Sequence, residues 1–268
     1  ATMMMAAALY SIEKDLSEIS ETQKKILSFL EAENESQIEA DVDSLTNIAG
    51  NYKYTWDNEI SVTGNHKLVL DIQNRARKNI RLYAKQIEDT ISAKHMIVAR
   101  KDIDRALADL EKKFKYYRLS LFTFSLASLM GIMLSGNFEE EYIDKIKAEI
   151  EALSDSYREQ FEKGSLYLER LGNAGAETAI AKRVASTGKT LGKFIGSIPV
   201  VKEGPVDEFL QEKGELLQNK ANEKEMKAIS TFSALSNPGT RVFVNKMEDM
   251  IQIYNHTSSI CVDKQNIY

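Results

Sequence analysis

No proline occurs before Pro199, and the first 130 residues hold only two glycines, Gly50 and Gly64. Inside a helix a proline costs about 3 kcal/mol and a glycine about 1 kcal/mol, so a chain this free of both is permitted very long helices. Six of the thirteen glycines then fall between Gly172 and Gly204, which sets that region apart from the rest. No segment alternates convincingly between apolar and polar residues, and the single β-branched run, Ile198-Pro-Val-Val201, is too short to matter. The fold class expected is therefore all-α. The architecture expected is one elongated bundle of long antiparallel helices over residues 1–268, with a glycine-rich amphipathic segment near 172–204.

Apolar residues step by three and four along most of the chain. Leu9, Ile12, Leu16, Ile19, Gln23, Ile26 and Leu30 form a narrow coiled-coil seam with one polar layer. The stepping resumes at Ile38, Val42, Leu45, Ala49, Tyr52, Trp56 and Ile60, which predicts one helix or two collinear helices over about 8–62. Gly50 is the weak point, and Gly64-Asn65 is the first stop and restart expected. Beyond it the pattern runs through Val69, Ile72, Ala76, Ile80, Tyr83, Ile87 and Ile91, then in a second phase from Ile103 to Phe124, with no breaker before Gly131. Uninterrupted, that helix would hold ~60–70 residues and reach ~90–105 Å. Whether 1–62 and 66–135 fold back on each other or extend into a dimer is not written in this pattern.

Asn137 is the expected N-cap of a helix over about 138–171, with Glu140 completing a capping box. A further helix starts at Gly204-Pro205-Val206 and runs to about 235. Ser236-Asn-Pro-Gly239 is a turn, and a last helix covers about 240–258. Trp56, Tyr52 and Tyr54 are expected in the core or the seam.

Two segments carry features beyond a generic bundle. Residues 119–138 contain no charge, and twenty residues are enough to span a bilayer core. The apolar side chains that matter there are Phe122, Phe124, Leu126, Leu129, Met130, Ile132 and Met133. Five of the twenty are Ser or Thr, which makes insertion energetically marginal for a constitutive span. A buried central helix, or a stretch hidden in the soluble form and exposed on insertion, are the alternatives. Ser125, Ser128, Gly131 and Ser135 share one face, which predicts close approach of a neighbouring helix there.

The second segment is 172–204. Gly188, Gly192 and Gly196 recur every fourth residue, which on a helix makes a groove along one face, a glycine zipper. Five basic residues, among them Lys189 and Lys193, oppose only Glu177 between 174 and 202, and Phe194 and Ile195 add apolar bulk. Such a stretch suits an anionic membrane surface, or packing against the acidic helix 138–171.

Other chemistry is thinly supplied. Gly188-Lys189-Thr190 lacks the phosphate-loop glycine five positions earlier, where Arg183 stands, and no strand precedes it. His66, His95 and His256 are far apart and none forms a Glu-x-x-His pair, which disfavours a di-iron bundle. Cys261 stands alone without nucleophile context. The net charge of −5 argues against nucleic-acid binding. Ala1–Leu9 lacks a basic start and is not read as a signal peptide. No catalytic residue, metal or cofactor is expected, and the chain is read as a non-enzyme.

Very long helices, an uncharged stretch in mid-chain and a glycine-rich amphipathic segment together resemble the all-helical pore-forming toxins of the cytolysin A and haemolysin BL type. The resemblance is architectural and carries no residue-by-residue motif. It implies a soluble bundle, cytoplasmic or secreted, that shields a hydrophobic head until it meets a lipid membrane. The candidate heads here are 119–138 and 172–204. The alternative is a non-enzymatic scaffold, partnered by a second copy or by another helical protein through the seam of residues 9–60.

Overall fold

The computed structural model describes residues 36–92, 100–174, 232 and 234–256. Among them 91% are helical and none lies in a strand, so the chain is all-α. We number the helices α1 (Ser36–Thr55), α2 (Glu59–Ser92), α3 (Arg100–Ser135), α4 (Glu140–Ala174) and α5 (Arg241–Ile251). A π-helical turn, Gln252–His256, continues α5. The seam at Leu9–Leu30 and most of the helix expected at 204–235 lie outside the described residues. So does the glycine-rich segment, apart from its first three residues.

The first break falls at neither Gly50 nor Gly64, both of which are helical. α1 ends at Thr55 and α2 starts behind Asn58. The Asn58 side-chain oxygen accepts the Ser61 backbone N–H at 3.0 Å, and its carbonyl accepts Val62 N–H at 2.9 Å. An asparagine N-cap satisfies donors that a lone glycine cannot, and so it decides where the helix begins. The helices it separates are not collinear. Arg75, well into α2, reaches Asp41, near the start of α1, with Nε–Oδ2 at 3.0 Å and Nη2–Oδ1 at 2.7 Å. That pairing makes α1 and α2 an antiparallel hairpin. Ile60 consequently leaves the seam and is 86% exposed, and Tyr54 is 72% exposed, with Lys53 Nζ 5.1 Å from its ring centre. Ile38, Val42, Leu45, Ala49 and Tyr52 are buried as the stepping requires, while Trp56 sits half-buried in the turn.

The long helix expected from 66 onward is likewise two helices folded back. Gln73 bonds Ser128 at 2.9 Å and Arg77 lies over Phe124. Further along, Tyr83 stacks on Tyr116 and Lys113 bonds Thr90 at 2.6 Å. Rising numbers on α2 meet falling numbers on α3, so the two helices pair antiparallel. The missing breakers permitted one rod; burying the two apolar stripes against each other won instead.

The chain divides into two compact units. The first comprises 36–81, 118–155 and 239–256 of the described residues. At its centre lies the second half of α3, against which α1, α2 and α5 all place side chains: Tyr52, Gln73, Arg77 and Phe243. α4 turns Ile143, Ile150 and Ser154 inward, and Ser154 shares a 2.7 Å hydrogen bond with Thr240 beside α5. Asp41 is 4% exposed, an acidic side chain in an apolar seam, and is held by Arg75 and by Gln37 Nε2 at 3.0 Å. Its hydrogen bond in turn raises the Arg75 guanidinium further above its ordinary range.

The second unit comprises 82–92, 100–117, 156–174 and the described residues of 232–238. Its core is aromatic. Phe114 meets Phe161, Tyr157 and Phe232 edge-on, with centroids 5.1, 5.7 and 6.0 Å away, and Tyr117 meets Tyr157 at 4.9 Å. The Tyr157 hydroxyl donates to the Leu235 carbonyl. Such edge-to-face pairs add about 0.5–1.5 kcal/mol each beyond the area they bury.

Gly164 lies against this cluster. A methyl placed on it would stand 3.0 Å from Phe114 Cε2 and 3.2 Å from Cζ, so the ring must give way, and Tyr157, Phe161 and Phe232 pack around it. Gly64, also helical, has open space around it. Gly64→Ala is therefore expected to raise stability by about 0.5–1 kcal/mol through helix propensity alone. Gly164→Val is expected to lower it by about 1–3 kcal/mol through overpacking. Urea midpoints of the two variants decide this, and a stabilising Gly164→Val would show that the aromatic cluster yields.

Candidate functional site: the uncharged helix

The twenty-residue stretch identified by its lack of charge is the C-terminal half of α3 and the connection after it. Phe122, Phe124, Leu126, Leu129, Met130, Ile132 and Met133 are all buried, at 2% exposure or less. They lie on every side of the helix. Ser120, Thr123, Ser125 and Ser128 are buried as well, so residues 119–134 present no face to water, and the segment reaches the surface only from Ser135 onward. The stretch Arg105–Ser135 is long and apolar enough to cross a membrane by length and composition, and its most apolar 18-residue window is 89% buried.

The hydroxyls explain how five Ser and Thr residues fit in such a place. Thr123, Ser125 and Ser128 each donate to the backbone carbonyl four residues earlier, on Leu119, Leu121 and Phe124, all at 2.8 Å. Their hydroxyl protons are thus satisfied inside the helix itself. The helix end is equally closed. Gly136, at φ +64°, donates to the Ile132 and Met133 carbonyls at 3.1 and 3.3 Å, and Ser135 Oγ donates to Ile132 O at 2.9 Å. These bonds use up carbonyls that an α-helix leaves orphaned.

Three polar side chains from other helices fix the segment in place. The Tyr52 hydroxyl donates to the Met133 carbonyl at 2.9 Å, and burial raises its ionisation above the usual phenol range. Gln73 Nε2 donates to Ser128 Oγ, and the Arg77 guanidinium lies 5.0 Å from the Phe124 ring centre while bonding Glu149 at 2.7 Å. Arg77 thus covers the apolar helix with its planar face and keeps its charge toward a carboxylate. Tyr52 is buried as its place in the seam requires, but Gln73 and Arg77 did not follow from the sequence, because a polar residue facing a core helix looks like any residue on a solvated face.

No family model matches this chain, and no characterised protein or solved structure matches it.

The close approach expected at Ser125, Ser128, Gly131 and Ser135 does not occur at Gly131. A methyl added there would meet nothing within 4 Å. Close approach to a glycine occurs instead at Gly164, which lies in a strongly periodic helix and gave no signal of its own. The zipper residues Gly188, Gly192 and Gly196, with Lys189, Lys193, Phe194 and Ile195, lie outside the described residues. So do His95 and Cys261. Among the described residues no three His, Cys, Asp or Glu side chains gather as a metal site. Asn137 does accept a backbone N–H, from Glu139 at 3.2 Å, but Glu140 turns to His256 instead of completing the capping box.

Proposed function

We propose that this chain is a membrane-active helical bundle, of the kind the pore-forming toxins exemplify, with the second half of α3 as the element that enters lipid. One observation carries the reading. The uncharged helix is of bilayer length, and Thr123, Ser125 and Ser128 donate their hydroxyl protons to its own backbone. In hydrocarbon every polar group must be satisfied internally, so a helix already built this way loses little on leaving one apolar setting for another. The surrounding helices supply the polar jacket that a water-soluble form requires. The basic glycine zipper would add attraction to anionic headgroups and a face for assembly.

A second reading is favoured by Tyr52, Gln73 and Arg77, which tie the same helix to its neighbours. On it, α3 is the permanent core of a non-enzymatic scaffold that binds a second copy or another helical protein.

Dye release from anionic and neutral liposomes, with flotation of the bound protein, separates the two. The membrane reading expects binding with leakage, lost in Gly192→Leu while the helical spectrum stays intact. Folded protein that neither floats nor releases dye overturns it and leaves the scaffold. Full leakage by Gly192→Leu would remove the zipper from the mechanism.

A further inference from the structure

The exit of the uncharged helix is covered by the turn that follows α5. α3 stops at Ser135, Gly136 reverses the chain, and residues 137–139 lead into α4. The π-helical turn Gln252–His256 grips this connection with three consecutive side chains. Tyr254 lies flat on Phe138, ring centres 3.9 Å apart and planes 2° from parallel. Asn255 Nδ2 donates to the Phe138 carbonyl at 3.0 Å. His256 Nε2 stands 3.2 Å from the Glu140 carboxylate, in the first turn of α4. A π turn takes more residues per revolution than an α-helix, so consecutive side chains fan through smaller angles and all three reach one target.

The contact is built to part. Asn255 and His256 are exposed and belong to no core, so losing their bonds opens no cavity. The Tyr254 hydroxyl is buried with no hydrogen-bond partner, and burial, with Tyr52 nearby, pushes its ionisation up to about 12. Closing the turn therefore strips water from a polar group and returns nothing to it, a cost that opening relieves. Within residues 119–134 of α3 no buried side-chain polar atom is left without a partner. The connection is thus a boundary of the buried helix that is held by exposed contacts and by one ring stack.

We propose that Gln252–His256 is a latch over the α3–α4 connection, and that its release is the step that frees the end of the uncharged helix. The purpose given to the latch rests on the membrane reading; its existence does not.

Hydrogen exchange on the full chain tests it. The variant Asn255→Ala/His256→Gln removes the two exposed contacts and leaves the Tyr254–Phe138 stack in place. Amides of residues 133–143 are expected to exchange about tenfold faster, while those of 69–80 in α2 stay within about twofold. Tyr254→Phe, which keeps the stack and removes the stranded hydroxyl, is expected to slow exchange at the same residues. Unchanged protection at 133–143 in both variants, or an equal rise throughout the first unit, overturns the latch. The first variant on liposomes reads the other question. Faster exchange with earlier dye release supports latch and membrane reading together, whereas faster exchange without release by any form of the protein keeps the latch and removes the membrane reading.

Discussion

Phe114→Ala is expected to destabilise the protein by about 3–5 kcal/mol, the range for deleting a large aromatic side chain from a packed core. The ring is fully buried and meets Tyr157, Phe161 and Phe232 edge-on. Those partners sit on α4 and at residue 232, so none of them can collapse into the space without moving its own element. A urea titration should show the loss as a lower midpoint, with hydrogen exchange rising first across 107–117 and 157–168. Leu82→Ala, at a residue 49% exposed, is the control, and is expected within about 0.5 kcal/mol of the parent. The variant also makes a second test. A Cβ on Gly164 would crowd Phe114 Cε2 and Cζ at 3.0 and 3.2 Å, so with the ring gone Gly164→Ala is expected to turn stabilising. A destabilising Gly164→Ala in the Phe114→Ala background would mean that something other than the ring enforces the glycine.

Arg75→Met is expected to cost about 2–3 kcal/mol, because it leaves the Asp41 carboxylate buried without its charge partner. Asp41 loses bonds of 3.0 and 2.7 Å and keeps the one from Gln37. The figure lies below that for a fully buried pair because the Arg75 side chain is 38% exposed, so water screens part of the attraction already. The double variant Arg75→Met/Asp41→Leu is expected to regain most of the loss, since an apolar pair of similar volume suits the α1–α2 seam as well as the ion pair does. A single variant no worse than about 0.5 kcal/mol would show that Asp41 reaches water, and would remove the ion pair as the fastener of that hairpin.

What could be read from the chain in advance tracks how local the physics is. Stepping by three and four marked Ile38 to Tyr52, Val69 to Ile87 and Leu107 to Phe124, and these residues are the core. The turn at Asn237-Pro238-Gly239 and the helix behind it were equally visible, because proline and glycine act on their own backbone. The break falls at 56–58 and not at Gly64, because the signal of Asp57-Asn58 lies inside an apolar rhythm that continues through Ile60. Ile60 shows the limit of periodicity. It keeps step with the seam and is exposed, because the hairpin carries it past the end of the partner it would have touched.

The candidate site divides in the same way. Its lack of charge over 119–138 was evident, and lack of charge is what allows burial on every face. That Tyr52, Gln73 and Arg77 would hold it was not evident, as each depends on a helix tens of residues away. Gly131 and Gly164 exchange roles for this reason too: the serines around Gly131 suggested contact and Gly164 suggested none, but only the placement of the Phe114 ring decides which glycine is needed.

By itself the sequence determined the all-α class, the apolar stripes of Ile38–Tyr52, Val69–Ile87 and Leu107–Phe124, and the absence of charge over 119–138, all consequences of backbone propensity and of spacing along one chain. The tertiary structure decided where the chain reverses, that α1 and α2 close on the Asp41–Arg75 pair, and that the π turn at 252–256 covers the end of α3. Those outcomes depend on which stripes meet and in what register, and the free energy of that choice lies in contacts between residues far apart in the chain, where no local pattern records it.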